Sequence, residues 1–249
     1  MFENMFEKAA RIQIIVFAVV LGACIIFALI SSAKVISNNF SKDEITVTGS
    51  ASEIVTSDSG VWRFQIKAQA PTRGEAYRML TSQKPVVLAF LKDNGIKEAE
   101  IEFLGINDYA RYKTAPNGFS TQEVIGYNYE QTIKINSKDV ELIKKLHLEI
   151  PSLIEKGIVI NSFEPNYLYS GLSDKKAELL QKATADAKMR AKEMLKATNN
   201  RVGKIRSVRM GVFQITPPDS NEVSDWGIND TSSIEKKVTA VSNVVFGIK

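Results

Sequence analysis

Few residues in this chain could do chemistry, and each lacks the companions that a reactive site needs. His147 is the only histidine and Cys24 the only cysteine among 249 residues. A Ser-His-Asp hydrolase would have to use His147, but the chain contains no Gly-x-Ser-x-Gly elbow to present the serine. A zinc site fails on the number of His and Cys ligands. Helical spacing places His147 beside Ile143 and Ile150, which favours a satisfied helix residue over a catalytic one.

Carboxylates and glycine-rich loops give no stronger signal. Four acids lie in one polar segment, but their spacing does not fit the Asp-x-Asp-x-Asp-Gly loop of a calcium site: they are Asp219, Glu222, Asp225 and Asp230. The chain has neither a phosphate-binding loop nor a dinucleotide glycine fingerprint. We therefore predict no catalytic, cofactor-binding or metal-binding residue, and a protein that is not an enzyme. A hydrolase with an unrecognised site is the remaining alternative.

Closely spaced tyrosines suggest a second kind of site. The three pairs are Tyr109 with Tyr112, Tyr127 with Tyr129, and Tyr167 with Tyr169. Residues two apart in a strand point to the same face, so the last two pairs would form aromatic stripes. Such stripes can stack sugars or single-stranded nucleic acid, but sheet packing or a protein interface is the commoner reason for them. We expect no nucleic-acid partner.

The strongest element signal is an apolar run from Ile14 to Ile30, which contains no charged or strongly polar side chain. As a helix rising about 1.5 Å per residue, it would cover roughly 26 Å, close to the hydrocarbon core of a bilayer. The sequence predicts a single transmembrane anchor. The alternative is a cleaved secretory signal, because the small residues Ser31, Ser32 and Ala33 suit a cleavage site, although the run exceeds the usual signal core of about 7 to 15 residues.

The anchor divides the chain into three parts. Residues 1–34 hold the N-terminal segment and the anchor, residues 35–44 a linker, and residues 45–249 one exported domain, long enough to bury a proper core. We expect this domain on the periplasmic side of a bacterial inner membrane, crossed once.

Strands and helices alternate in the exported part. Period-two alternation and turn residues predict strands at residues 45–49, 60–70, 100–109, 123–135, 158–169, 204–215 and 236–248. A capping box, Thr72 with Glu75, opens a helix that ends at Gly95. A second helix begins near Ser137 or Asp139.

A third helix begins after Ser173 and stops at Asn199 and Asn200. Its narrow, alanine-rich face suits close packing on a sheet, and we assign to that face Leu180, Thr184, Ala187, Ala191 and Met194. This order of elements predicts an α+β fold with a mostly antiparallel sheet and helices packed on one side. The two halves, each made of strands and a helix, are candidates for two lobes of one domain.

Charge is uneven along the chain. The net charge of +4 is too mild to imply nucleic acid, yet residues 173–209 hold eleven Lys or Arg against four acids. Residues 217–234 hold four acids and no base. A solvated helix face and a polar loop explain this pattern; the alternative is a basic surface that faces anionic lipid or an acidic partner.

Several segments together resemble one family, the SIMPL domain (DUF541) proteins of the bacterial envelope. They include ITVTGSASEI from Ile45, GYNYEQTIKI from Gly126, and the helix with AxADAKxRAKEML within Leu179 to Leu195, followed by Gly203 and Lys204. The resemblance spans about Ile45 to Lys249. The chain departs from the family at residues 57–60, where many members carry a Pro-Asp pair, and in its apparent anchor where several members have a cleavable signal.

The resemblance implies an α+β domain exposed to the periplasm, often self-associating and in some members forming large rings. It implies a loose link to oxidative or envelope stress, and it supplies no catalytic residue. We expect a membrane-anchored protein that acts non-enzymatically as an oligomerising scaffold, or as an accessory partner of an inner-membrane or envelope complex such as motility or secretion machinery. The alternative is an envelope-stress module that binds or senses a small ligand between the two lobes.

Overall fold

The computed structural model describes residues 16–33 and 43–249. Its first element, α1 (Val16–Ala33), confirms that the apolar run is helical, with a mean hydropathy of 2.6 and no part of it buried. This helix is long and apolar enough to cross a membrane, a property that signal sequences share. The expected linker at residues 35–44 lies almost entirely outside the described residues.

The body of the chain, residues 43–249, is a mixed α+β fold, as the sequence predicts. Its strands are β1 (Glu44–Thr56), β2 (Ser59–Ala70), β3 (Ile101–Thr114), β4 (Ser120–Ser137), β5 (Val159–Ser162), β6 (Asn166–Leu168), β7 (Val202–Met210), β8 (Gln214–Thr216), β9 (Ile228–Asn229) and β10 (Glu235–Ile248). Its helices are α2 (Arg73–Asp93), α3 (Val140–Glu149), α4 (Ser152–Glu155) and α5 (Leu172–Lys196).

The first sheet is antiparallel, with the order β3-β4-β2-β5 and β6 also paired to β2. The alternation predicted for β2 is confirmed, because Trp62, Phe64 and Ile66 are fully buried while the residues between them lie on the opposite face. α2 and α3 cover this apolar face and complete the main core with Leu80 and Ile143.

The predicted ends of α2 and α3 are confirmed at atomic detail. The Thr72 hydroxyl accepts from the Glu75 amide, and the Glu75 carboxylate accepts from the Thr72 amide. Gly95 follows the helix with φ +96, a left-handed conformation that glycine adopts without steric cost. Asp139 caps α3 by accepting from the Leu142 amide at 2.9 Å.

The second sheet has the order β1-β10-β8-β9, with β7 also paired to β10. The short pair β8 and β9 is parallel, whereas β10 and β8 run antiparallel. α5 packs on β1 where a Cβ on Gly49 would lie 2.1 Å from the Ala183 carbonyl oxygen. The alanine-rich face predicted for α5 therefore does allow a close approach to a sheet.

The residues assigned to that face need correction. The buried stripe of α5 advances in steps of four through Leu179, Ala183, Ala187, Ala191 and Leu195. Leu180 and Thr184 lie beside it, and Met194 is 57% exposed. The predicted stripe was wrong at these positions because small alanines, and not the larger side chains, fill the narrow space above β1.

The bounds of five predicted strands need correction. β3 ends at Thr114 and not at residue 109, and β4 begins at Ser120 and not at residue 123. β1 continues beyond residue 49 to Thr56. The strand predicted at residues 158–169 is two strands, β5 and β6, because Pro165 has no amide to donate and the chain leaves the ladder around it. The strand predicted at residues 204–215 is likewise split into β7 and β8.

The described residues form two compact units. The larger contains residues 48–189 and 209–243, including the whole first sheet and the main core. The smaller contains residues 43–47, 190–208 and 244–249 together with α1. Within the smaller unit, the amides of Arg201 and Lys249 each donate to the other residue's carbonyl oxygen.

Candidate functional site

An exposed tryptophan stands out on the larger unit. Trp226 belongs to the segment Pro217–Ile234, here called the Trp226 loop, which connects β8 to β10 and includes β9. The Trp226 side chain is 94% exposed, and Val223 in the same loop is 83% exposed. Large apolar side chains this open to water are typical of surfaces that bind a partner.

The turn that presents Trp226 is held by a buried glutamine. The side-chain Nε2 of Gln214 donates to the Ser224 carbonyl oxygen at 2.7 Å, and its Oε1 accepts from the Ser224 backbone amide at 3.3 Å. Gly227 then adopts φ +85, and a Cβ there would lie 2.9 Å from the Phe213 carbonyl oxygen. Trp226 is therefore displayed by a preorganised turn.

The base of the Trp226 loop is fixed by a buried ion pair. The Lys236 ammonium, 4% exposed, donates to the carbonyl oxygens of Asp230 and Ser233 at 2.8 and 2.6 Å and lies 3.6 Å from the Asp230 carboxylate. Burial lowers the pKa of Lys236, against the attraction of Asp230. Burial opposes ionisation of Asp230, but hydrogen bonds from Ser232 and Ser233 and the charge of Lys236 hold its pKa below the ordinary value.

An apolar groove of about 560 Å³ lies against Trp226. Met210, Val212 and Phe213 form part of its wall, and Met210 and Val212 are 61% and 43% exposed. The Lys176 ammonium lies 5.2 Å from the centre of the Phe213 ring. Trp226 thus extends an exposed apolar patch that has Lys176 on its wall.

β7 presents a basic surface, opposite in charge to the acidic Trp226 loop. Its sequence, VGKIRSVRM, contains three bases and no acid. Every residue from Lys204 to Met210 is exposed, including Ile205 at 51% and Val208 at 49%. Among the described strands, β7 pairs only with β10. A strand so exposed on both faces is unusual inside a domain and common at an interface.

The arm formed by β3 and β4 is a third exposed apolar region. Beyond the last residue pair between β2 and β4, at Ala70 and Tyr127, the arm continues as a two-stranded ribbon with irregular register. Phe119 at its tip is 73% exposed. Two strands alone are marginally stable in water, so this ribbon would gain from a covering surface.

His147 lies on the wall of a different groove and is held by buried groups. The Trp62 indole N–H donates to Ser162 Oγ at 3.1 Å, and Ser162 Oγ lies 3.1 Å from His147 Nδ1. Ser162 Oγ thus joins Trp62 to His147, and His147 Nε2 on the other side of the ring lies 3.5 Å from a Glu164 carboxylate oxygen. The interpretation of His147 as a satisfied helix residue fits this arrangement.

The groove beside His147, here called the His147 groove, has a volume of about 730 Å³. Lys144 and His147 line it together with Glu141 and Glu164, so its wall carries both signs of charge. Burial raises the pKa of Tyr167 on the same wall, and Glu141 and Glu164 add to the rise. This volume is within the range of about 300–1,000 Å³ typical of small-molecule sites.

The structure places the other candidate residues as follows. Tyr127 and Tyr129 share a sheet face beneath α2, where Arg73 lies 4.8 Å from the Tyr127 ring centre and Tyr77 packs edge-on against Tyr129. Tyr109 lies on the opposite face and donates to Glu130 at 3.0 Å. Tyr127 and Tyr129 are therefore packing residues, and not an open stacking platform.

Among residues 16–33 and 43–249, no group of three or more His, Cys, Asp and Glu side chains is close enough to hold a metal ion. Asp230 in the acidic segment is committed to Lys236.

Two important residues were missed from the sequence. Trp226 could have been found as a lone large aromatic in a segment otherwise rich in Asp, Asn, Ser and Gly. Ser162 carries no local signal, because its partners Trp62 and His147 come from β2 and α3.

Comparison with protein families finds one match over most of the body. The model for SIMPL, described as "Protein of unknown function (DUF541)", matches residues 45–246. No curated protein matches the chain significantly.

Proposed function

The chain belongs to the SIMPL (DUF541) family, and from that premise we propose that it is a membrane-anchored, non-enzymatic interaction module of the cell envelope. The body lies on the periplasmic side of the inner membrane, where it self-associates as a scaffold or stabilises a neighbouring envelope complex. Motility and secretion machinery are candidate partners of the second kind.

The observation that carries this proposal is the exposed Trp226 on its preorganised turn. Hot spots of protein interfaces are enriched in tryptophan, and rigid presentation reduces the entropy lost on binding. The other indole of the chain, Trp62, is fully buried in the main core.

The anchor supports the proposal by concentrating copies in two dimensions. α1 spans 18 residues, which is about 27 Å at 1.5 Å per residue. Copies tethered to one surface meet at a high effective concentration, so a lateral contact of modest affinity is sufficient for assembly.

The test is the native mass of the full chain in a mild detergent over a range of concentrations. We expect a species larger than one copy, or one copy with a co-purifying membrane partner. A single copy at every concentration without any partner would overturn the proposal.

A second candidate function is favoured by the His147 groove. The Trp62–Ser162–His147 chain of contacts fixes His147 at a wall with both signs of charge, a setting that suits a small zwitterionic or polar ligand. In this alternative the body is a ligand-binding or sensing module of the envelope stress response.

Thermal shift with a panel of metabolites tests this second function. A ligand at a hundred times its dissociation constant adds about 2.7 kcal/mol to the free energy of unfolding. We expect the shift to disappear in Lys144→Gln, a change on the groove wall that leaves the Trp62–Ser162–His147 contacts intact. Equal shifts in both proteins would place the ligand elsewhere.

A further inference from the structure

We propose that the Trp226 loop of one copy docks onto strand β7 of a second copy. This inference rests on the self-association proposed above and names the two surfaces that carry it.

The Trp226 loop offers an exposed tryptophan in an acidic segment. Glu222 and Asp225 precede Trp226 in the loop, and all three are exposed. Residues 217–234 contain no base, so the loop as a whole attracts a basic surface. The Gln214 hydrogen bonds and Gly227 fix the turn before any partner arrives, which lowers the ordering cost of docking.

Strand β7 offers basic and apolar side chains that complement the acidic residues and the tryptophan of the loop. Side chains alternate along β7, so Lys204 and Val208 lie on one face and Ile205 and Arg209 on the other, and each exposed face presents a base with an apolar side chain. No acid interrupts residues 202–210. A tryptophan is the best side-chain partner for a lysine or arginine placed over its ring, and the attraction is stronger when water is excluded.

The sign of the loop's charge favours a protein partner over a bilayer. An exposed tryptophan also suits a membrane interface, but an anionic lipid surface would repel the acids of the Trp226 loop. A basic strand attracts them. This chain carries such a strand itself, so a second copy suffices as the partner.

The two surfaces differ, and every copy carries one of each. Docking therefore produces either a reciprocal dimer, with two loop-to-strand contacts, or a head-to-tail series that closes into a ring or continues as an open filament.

The test uses two charge-reversed versions of the full chain in mild detergent. The first carries Glu222→Lys with Asp225→Lys, so that its loop becomes basic. The second carries Lys204→Glu with Arg209→Glu, so that its strand becomes acidic. Each alone places like charges at the contact, and we expect association about 30-fold weaker, comparable to the loss of one hot spot.

Mixing the two versions in equal amounts restores opposite charges at both kinds of contact. We expect the native mass of the mixture to return to that of the unaltered chain. Misfolded proteins would not regain association on mixing, so this result also excludes misfolding as the cause of the loss. Glu155→Lys with Lys156→Glu, on exposed residues at the end of α4, is the matched control and is expected to leave association unchanged.

Tryptophan fluorescence gives an independent reading, because the chain has only Trp62, fully buried, and Trp226. We expect Trp226 emission to shift to shorter wavelength as copies associate, and this shift to disappear in Trp226→Phe. Brominated lipid in reconstituted vesicles reports lipid contact, and we expect it to leave Trp226 emission unquenched.

The outcomes separate the two proposals. An unaltered chain that remains a single copy would overturn both self-association and this docking mode. An unaltered chain that associates while both charge-reversed versions associate equally well would overturn the docking mode alone. A mixture that stays dissociated, or strong quenching of Trp226 by brominated lipid, would also overturn it.

Discussion

Asp58 lies in the turn between β1 and β2 and holds the chain just ahead of α5. Its carboxylate accepts from the Ser170 amide at 3.0 and 3.1 Å and from the Ser170 hydroxyl. These hydrogen bonds, the hydroxyl contact first, hold the pKa of Asp58 below the ordinary value of 3.8. This is the segment, residues 57–60, where the sequence departs from the Pro-Asp pair of many family members.

The depressed pKa makes the contribution of Asp58 depend on pH. A carboxyl whose pKa is lower in the folded state stabilises the fold above its unfolded pKa, and this stabilisation is lost as pH falls through the folded value. We expect Asp58→Asn to lower the free energy of unfolding by about 0.5–1 kcal/mol at pH 7, the modest size reflecting solvent screening. Urea unfolding from pH 7 to pH 3 should show the two proteins converging below pH 3.8.

Ser170→Ala is the matching control for this prediction. If Asp58 acts through Ser170, the double variant should lose less stability than the two single variants together. A difference between Asp58→Asn and the unaltered chain that stays constant down to pH 3 would contradict the assignment.

Single residues were predictable where their partners are local. The Thr72–Glu75 box and the Asp139 cap follow from spacing of three residues, which the sequence displays directly. The surroundings of His147 and the exposure of Trp226 depend on contacts between distant segments. No pattern within either segment encodes those contacts.

The contact between α5 and β1 gives a packing reason for the alanines and the aspartate in the α5 motif. Ala183 and Ala187 bring the α5 backbone onto Gly49, and Asp186 between them accepts from the Ser50 amide at 2.9 Å. Nearer the start of α5, Lys175 and Lys182 both pair with Glu53 of β1. Ala183, Asp186 and Ala187 of the motif AxADAKxRAKEML therefore dock α5 on β1.

Gly49→Ala tests this contact. The added methyl would lie 2.1 Å from the Ala183 carbonyl oxygen and 2.4 Å from the Ala187 amide nitrogen, so α5 or β1 must move. We expect a loss of about 3 kcal/mol in the free energy of unfolding, at the upper end of overpacking effects. Thermal unfolding followed by circular dichroism should show the lower midpoint.

Gly105→Ala in β3 is the matched control, because nothing lies within 4 Å of a Cβ at that position. We expect a change of no more than about 1 kcal/mol, and in the stabilising direction. Equal midpoints for the two variants would show that α5 is free to move away from β1.

The sequence predicts whether a segment is a helix or a strand better than it predicts the first and last residues of that segment. The alternation of β2 and the caps of α2 and α3 carry strong local signals, and these elements were placed within a residue or two. The division of the strands between two sheets, and the two-residue β9 within the acidic loop, depend on pairing partners elsewhere in the chain. Local propensity does not contain that information.

At the scale of the whole molecule, the proposals depend on whether α1 remains attached to the body. A retained helix places every copy on one membrane surface and makes weak contacts effective, whereas a cleaved leader would release the body. The length and hydropathy of α1 are compatible with a retained anchor and with a cleaved signal, because these two properties do not distinguish the two.

We predict that the chain keeps this helix in the cell. Membranes from expressing cells, washed with carbonate, should retain the protein, and its intact mass should be 27.6 kDa. Ala33→Leu serves as the control, because a bulky residue next to a cleavage site blocks processing of a true signal. If the leader is an anchor, the substitution should change the mass only by the difference between the two side chains. A shorter, soluble product that becomes longer and membrane-bound in Ala33→Leu would show that the leader is a signal, and assembly would then depend on the Trp226 loop and β7 without help from the bilayer.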